Sequence, residues 1–328
     1  METKTAVDLK NLADLHMHIS SSVTPEILWD LAHEQGMKLP ARDYFEFAQS
    51  VQIQGNVGYD DYLKMYDILE EIQSTPESMF RLAEQVPTKL YQHDKIDLVE
   101  IRMNPMLRSR SGKIDLDHII VYTLQGLERA SLKFPKLKTG LILSMDRRFS
   151  PEINKIIVDK AIKYKDRGVI GIDLAGPIDA NFSFDDLAGL AKRIHAEGLG
   201  LTIHTGEATN ADEMWEVVQK LKPNRIGHGI AAVHDEQLMA YLAEHNIILE
   251  TCPSSNLQTR AVADLDEMRE NYATLIAHKV PFTINTDGPI LQNTTLPKEY
   301  AMLIDNDILT FEQAKKCNQL AHAYSFIS

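Results

Sequence analysis

The sequence predicts a (β/α)8 TIM barrel with a helical insertion after the first strand, on three observations. Eight short runs of β-branched and aliphatic residues recur along the chain, most are followed by a segment of helical periodicity, and the residues able to carry chemistry stand at the C-terminal ends of the runs. The runs are Asn11 to His18, Ile96 to Asn104, Lys138 to Met145, Val169 to Ala175, Leu199 to His204, Asn224 to His228, Asn246 to Thr251 and Val280 to Thr286. One strand and helix every ~40 residues is what such a barrel needs, although no internal sequence repeat is visible. The 328 residues, 44% of them hydrophobic, suit a single domain over 1–328 with one large core. A doubly wound sheet would place a glycine-rich phosphate loop after its first strand, whereas here the first run ends in His-Met-His-Ile-Ser-Ser-Ser.

Taken in order, strand one ends in Leu15-His16-Met17-His18. Residues two apart in a strand point to the same face, so His16 and His18 offer two imidazoles to one metal. The 77 residues that follow, 19–95, are too many for a simple connection. Within them Pro25 to Gln35, Asp60 to Ile72 and Pro76 to Gln92 read as helices, the third opened by Ser74-Thr75-Pro76-Glu77, a capping residue before proline at the first helical position. This insertion, at about 22–95, falls in the first βα loop. Such loops surround the active site of a barrel, so the insertion is placed to roof a pocket and exclude water. Tyr59, Tyr62 and Tyr66 either line that pocket or pack the insertion together.

Strand three is followed by Arg147 and Arg148, which either reach a substrate anion or tie a loop to a carboxylate. Between strands four and five, Phe184 to Glu197 sets Leu187, Leu190, Ala191 and Ile194 on one helical face and Asp185, Lys192 and Arg193 off it. Strand five runs into His204-Thr205-Gly206-Glu207, strand six into Gly227-His228-Gly229 and strand eight into Thr286-Asp287-Gly288.

The C-terminal ends of barrel strands share one mouth, so His16, His18, His204, His228 and Asp287 converge although 271 residues separate the first from the last. A lone histidine ending a strand is usually a hydrogen-bonded structural residue; five such groups at corresponding ends favour a metal centre. His16, His18, His204 and Asp287 are the expected ligands of one Zn2+ per chain. Zinc accepts imidazole nitrogen and carboxylate oxygen, and a catalytic site keeps a position for water, whose pKa falls to about 7. Glu207, beside Gly206 just past the strand end, suits a general acid; the alternative is a carboxylate at a helix start. His228 is then free to orient or deprotonate the water.

A net charge of -13 disfavours a grip on phosphate backbones, so the expected partner is a small molecule and not a nucleic-acid polymer. Cys252 and Cys317 give no disulfide framework, Met1 to Lys10 lacks the apolar core of a secretory signal, and no run approaches the ~20 apolar residues of a membrane span. A cytoplasmic protein without a membrane partner is expected. Its oligomeric state is not legible.

The set Leu15-His16-Met17-His18, Ile172-Asp173-Leu174-Ala175-Gly176, His204-Thr205-Gly206-Glu207, Gly227-His228-Gly229, Cys252-Pro253-Ser254-Ser255-Asn256 and Thr286-Asp287 resembles the adenosine deaminase family of the amidohydrolase superfamily, in order and spacing from residue 11 to about 326. The resemblance implies attack of hydroxide on C6 of a 6-aminopurine and loss of ammonia. It implies that His16, His18, His204 and Asp287 hold zinc, that Glu207 gives a proton to purine N1, and that His228 activates the hydrolytic water. Asp287 thereby counts among the catalytic residues, His18 among those beside the substrate, and Gly176 offers its backbone amide to purine N3. Strand four carries Asp173 and no lysine, which argues against the carbamate-bridged dinuclear centres of other amidohydrolases.

Two positions depart from the family pattern. The family commonly has His-x-His-Leu-Asp-Gly, its acid on the ribose 5′-hydroxyl, where this chain has Ile19-Ser20-Ser21; and Thr-Asp-Asp-Pro, its second aspartate on purine N7, where this chain has Gly288. Two charged hydrogen bonds of roughly 1.5 to 3 kcal/mol each are at stake. The substrate-contact set therefore reads Gly176, His18, Ser20 and Gly288, and the expected substrate is a 6-aminopurine nucleoside or related adenine derivative. The alternatives are a 5′-modified nucleoside such as 6-aminodeoxyfutalosine, free adenine, or another ring amine or cyclic amide. For a C5′ extension, Ser20 to Ser22 would give room and Arg147 or Arg148 would meet a carboxylate. On this reading Gly288→Asp with Ser20→Asp raises adenosine activity, unless Gly288 merely serves a turn of positive φ before Pro289.

Overall fold

A computed structural model describes residues 9–39, 41–55, 57–108, 115–177 and 182–327; most of the polar stretch Met1 to Lys10 lies outside them. Eight strands, β1 (Leu12–His18), β2 (Ile96–Met103), β3 (Lys138–Asp146), β4 (Val169–Ala175), β5 (Gly200–Thr205), β6 (Arg225–His228), β7 (Ile248–Thr251) and β8 (Phe282–Ile284), pair in parallel in sequence order. The seam between β8 and β1 closes just past β8. Met17 bridges Asp287, whose N–H donates to the His16 carbonyl at 2.8 Å while the His18 N–H donates to the Asp287 carbonyl at 2.8 Å. The sheet is the expected barrel, and its closing bonds join three of the expected metal ligands.

Among the described residues four helices occupy the insertion: α1 (Pro25–Glu34), α2 (Tyr44–Ser50), α3 (Tyr59–Ile72) and α4 (Pro76–Asp94). Of these α2 is not legible as a periodic pattern; it is a seven-residue helix nucleated by Asp43, whose side chain accepts from the Glu46 N–H, and anchored by the buried Phe47. The outer ring continues with α5 (Leu116–Lys133), α6 (Pro151–Tyr164), α7 (Phe184–Ala196), α8 (Ala211–Lys220), α9 (Glu236–Glu244), α10 (Pro253–Gln258), α11 (Leu265–Ala277), α12 (Leu296–Asp305) and α13 (Phe311–Tyr324). Among the described residues no helix is long and apolar enough to cross a membrane.

Strands β1, β2, β6, β7 and β8 are shorter than the apolar runs suggest, and β8 keeps only three residues. The Asn285 side chain takes over the ladder there: its amide donates to Thr251 O and Thr283 Oγ1, and its Oδ1 accepts the Leu15 N–H. The barrel interior also carries charge. Glu100, Arg102, Asp173, Arg225 and Glu250 are fully buried, and each is paired: Arg102 with Glu250 at 2.8 Å and Asp173 at 3.4 Å, Arg225 with Glu250 at 2.7 Å and with Glu100. Buried charges are tolerable only in such pairs, and two of these carboxylates reach the mouth.

Candidate active site

The four expected ligands meet at the C-terminal mouth. His18 Nε2 and His204 Nε2 lie 3.2 Å apart, and Asp287 Oδ1 lies 3.5 Å from His18 Nε2 and 3.7 Å from His16 Nε2. His16 Nδ1 is 2.8 Å from Glu250 Oε2 and His204 Nδ1 is 2.9 Å from Asp173 Oδ1. A carboxylate there accepts the Nδ1 proton, which turns the Nε2 lone pairs of His16 and His204 toward the shared centre. His16 Nε2 is buried with no hydrogen-bond partner among the described residues. Such an orphan is costly, and a cation at the centre would satisfy it. The donor set of three imidazoles and a carboxylate thus fits a divalent metal.

Electrostatics agree with that fit. Burial pushes His16 well below the ordinary histidine range and His18 down to about 3, so both are neutral, as ligands must be. Burial alone would raise the Asp287 carboxyl, but its surroundings, His228 and the Ser255 hydroxyl among them, hold it well below the usual range. Its Oδ2 accepts from Ser255 Oγ at 2.7 Å, Tyr62 OH at 2.9 Å and Gln292 Nε2 at 3.0 Å, leaving Oδ1 for the centre. Asp287 and His228 both sit in left-handed backbone, at φ 62 and 60, a conformation that costs a side-chain-bearing residue about 1–3 kcal/mol and gathers at functional sites. Gly227 is needed for close approach: a Cβ there would lie 3.0 Å from His16 Cε1 and 3.2 Å from His204 Cγ.

Across from the ligands stand Glu207 and His228. His228 Nδ1 is 2.9 Å from Asn256 Oδ1, which fixes the proton on Nδ1 and leaves Nε2 facing Glu207 Oε2 at 3.5 Å. Burial would lower the His228 imidazole, but Glu207 and Asp287 outweigh it and raise its pKa. Glu207 does not cap a helix, since α8 begins at Ala211 with Asn210 as its cap; instead Glu207 Oε1 accepts from Thr259 Oγ1 at 3.1 Å.

These groups open on a cavity of about 290 Å³ whose wall also includes Gly176, Ser20, Glu70, Tyr59, Tyr62 and Tyr66. All three tyrosines face it, so the insertion does roof the mouth. Gly176 has φ 92, and a Cβ there would lie 2.6 Å from Asp146 Oδ1. The two arginines are tied down and give no support to a carboxylate-bearing extension. Arg147 Nη2 donates to Glu213 Oε1 at 2.8 Å and to the His204 carbonyl at 2.6 Å, and Arg148 clasps Asp146 at 2.9 and 2.6 Å.

Ser20 and Gly288 are also placed differently from what the sequence suggests. Ser20 Oγ donates to Glu70 Oε1 at 2.7 Å, so its proton is already used, and Ser21 and Ser22 turn their hydroxyls to the His18 carbonyl. Ser20→Asp would set a second carboxylate against Glu70. Gly288 is not the positive-φ residue of its turn; Asp287 is. What Gly288 provides is room: a Cβ would fall 2.5 Å from Ser21 Oγ, 2.7 Å from Ser21 Cβ and 3.4 Å from Tyr66 OH, and the cavity wall here is Tyr66. Gly288→Asp therefore disrupts packing instead of restoring a contact. Even Gly288→Ala is expected to destabilise the fold by about 1–3 kcal/mol, the range for overpacking; an unchanged denaturant midpoint would contradict this close approach.

Sequence reasoning assigned no role to Glu250, Asp173, Asn256, Ser255 or Gln292, which orient the ligands and His228. A signal existed for two of them, because a lone acid inside an apolar run, as in Ile248–Thr251 and Val169–Ala175, needs a buried partner.

Strand-end histidines steered from behind by carboxylates at one barrel mouth are the arrangement of amidohydrolase-type hydrolases, and that is the class this fold and site define. The family model described as adenosine deaminase matches residues 11–328. An adenosine deaminase of Shewanella denitrificans is 32% identical over 294 residues, 89% of this chain and 87% of its own. An adenine deaminase of Arthrobacter aurescens shares the fold with a TM-score of 0.84 at 21% identity, covering 98% of this chain and 95% of its own. An amidohydrolase of Burkholderia ambifaria, solved with bound Zn, does so with a TM-score of 0.88 at 20% identity, covering 100% and 90%. The chain belongs to the adenosine deaminase family, metal-dependent hydrolases of carbon–nitrogen bonds in cyclic amidines.

Proposed function

We propose that this chain is a zinc-dependent aminohydrolase that replaces the 6-amino group of an adenine nucleoside or related adenine derivative by oxygen, consuming water and releasing ammonia. One observation carries the reading: the Nε2 atoms of His16, His18 and His204 and Asp287 Oδ1 converge beside Glu207 and His228, at the wall of a cavity roofed by tyrosines. The relative named adenosine deaminase supports the substrate class.

His16, His18, His204 and Asp287 would hold the zinc. When bound there, zinc lowers the pKa of water to about 7 and so supplies hydroxide at neutral pH. Glu207 delivers a proton to a ring nitrogen, which draws electrons away from C6 as it is attacked. His228, its Nδ1 held by Asn256, takes the proton of the attacking water. The Gly176 amide, freed of any side chain, orients the ring. Tyr59, Tyr62 and Tyr66 keep bulk water off the centre.

The test is ammonia release, together with the change in purine ultraviolet absorption, across adenosine, 2′-deoxyadenosine, free adenine and 5′-extended adenine nucleosides. Turnover of at least one is expected, and activity confined to other ring amines or cyclic amides would overturn the substrate class. One zinc per chain is expected by elemental analysis of chelator-free protein, because the Nε2 atoms of His16, His18 and His204 with Asp287 Oδ1 face one centre and strand four offers no bridging lysine. Two equivalents, or none with full activity, would contradict it.

A further inference from the structure

Helix α3 lies along the cavity with one stripe of side chains turned to it. Tyr62, Tyr66 and Glu70 are four residues apart and so share a face. Each touches the opposite wall at a successive point: Tyr62 OH at Asp287 Oδ2, 2.9 Å; Tyr66 OH at Ser21 Oγ, 3.0 Å; Glu70 Oε1 at Ser20 Oγ, 2.7 Å. From Tyr62 to Glu70 the helix advances ~12 Å at 1.5 Å per residue, a span on the scale of a base with its sugar. Glu70 thus stands about two helical turns from Tyr62, which touches Asp287, and it lines the cavity with 13% of its side chain exposed.

The groups around Glu70 are chemically committed. Arg108 lies 2.7 Å from Glu70 Oε2 and is fully buried, and Arg148 is clasped by Asp146. Among the described residues the cavity wall carries four carboxylates, Glu70, Asp146, Glu207 and Asp287, against two cations, Lys64 and Arg148. A carboxylate has about four acceptor positions; Ser20 takes one on Glu70 Oε1, and Arg108 faces Oε2 as an ion pair. What fits there is a neutral donor.

We propose that Glu70 accepts a hydrogen bond from a sugar hydroxyl of the substrate, and so selects nucleosides with a free ribose over those bearing a phosphate or carboxylate at the sugar. Ser20 positions the carboxylate from one side and Arg108 from the other. The inference rests on the deaminase reading above, and it narrows that reading to uncharged nucleosides.

The test compares wild type, Glu70→Gln, Glu70→Ala and Ser20→Ala on adenosine, its 2′-, 3′- and 5′-deoxy forms and its 5′-monophosphate. For wild type, adenosine should exceed both the monophosphate and one of the deoxy forms, the latter by about 10- to 100-fold in kcat/KM, as for a hydrogen bond to a charged group. In Glu70→Ala that ratio should collapse toward parity, mostly through KM, and in Glu70→Gln the monophosphate should gain relative to adenosine. Calorimetric binding of inosine and the matching deoxyinosine gives the same comparison without turnover. These are ratios within one variant, so loss of stability from the Arg108 pair does not move them. Wild-type turnover with ratios unmoved in every variant, or a wild-type preference for the monophosphate, would overturn the Glu70 contact and leave the deaminase reading standing. No wild-type turnover of any nucleoside in the series would overturn both.

Discussion

Asp287→Ala is expected to lose both its metal and its turnover, the latter by roughly 10⁴-fold or more, the scale of removing one member of a set that acts as a unit. Asp287 has two jobs on one short segment. Its backbone closes the barrel seam against His16 and His18, and its carboxylate is aimed by Ser255, Tyr62 and Gln292 so that Oδ1 faces the imidazoles. Alanine keeps the seam bonds but takes the φ of 62 with no carboxylate to justify the strain. Asp287→Asn serves as the shape-preserving control, with the charge gone and the side-chain volume kept. His16→Ala should behave alike, since its Nε2 is buried with no hydrogen-bond partner among the described residues. Metal content by elemental analysis and kcat on the same preparation decide the matter, with circular dichroism to show that the barrel is intact. Full activity in either alanine variant would mean that the centre lies elsewhere.

The barrel and the meeting of its strand-end histidines with Asp287 were legible in the sequence because both leave local marks. Apolar runs ended by His16, His18, His204 and His228 fix the strand ends, and a parallel barrel brings all strand ends to one mouth whatever the sequence distance. The groups that steer those histidines were harder to see. Glu250 and Asp173 act across strands, with Arg102 bonded to both, and no spacing rule links residues 102, 173 and 250. The surroundings of Ser20 and Gly288 were not legible for a related reason: each was read against the substrate, and its protein partners, Glu70 for Ser20 and Ser21 with Tyr66 for Gly288, are distant in sequence. Those partners come from an insertion helix and a neighbouring turn. Helical periodicity shows that α3 has a face, but not which wall the face meets.

Glu207→Gln is expected to keep its zinc and lose about 10²- to 10⁴-fold in kcat, the range for a general acid or base. Geometry separates the two effects. Glu207 is not among His16, His18, His204 and Asp287, the proposed donor set; it reaches toward His228 at 3.5 Å and takes the Thr259 hydroxyl on its other oxygen at 3.1 Å. Glutamine preserves that outline, and its carbonyl oxygen still accepts from Thr259. What it lacks is an acidic proton to give a ring nitrogen. The change should appear in kcat, with KM altered far less, because the lost interaction belongs to the transition state and not to binding of the ring. Zinc equivalents per chain and steady-state kinetics are measured together. If zinc falls in step with activity, Glu207 is a ligand or a structural strut, and the proton must come from another group on the cavity wall. If both are unchanged, the carboxylate facing His228 takes no part in the reaction.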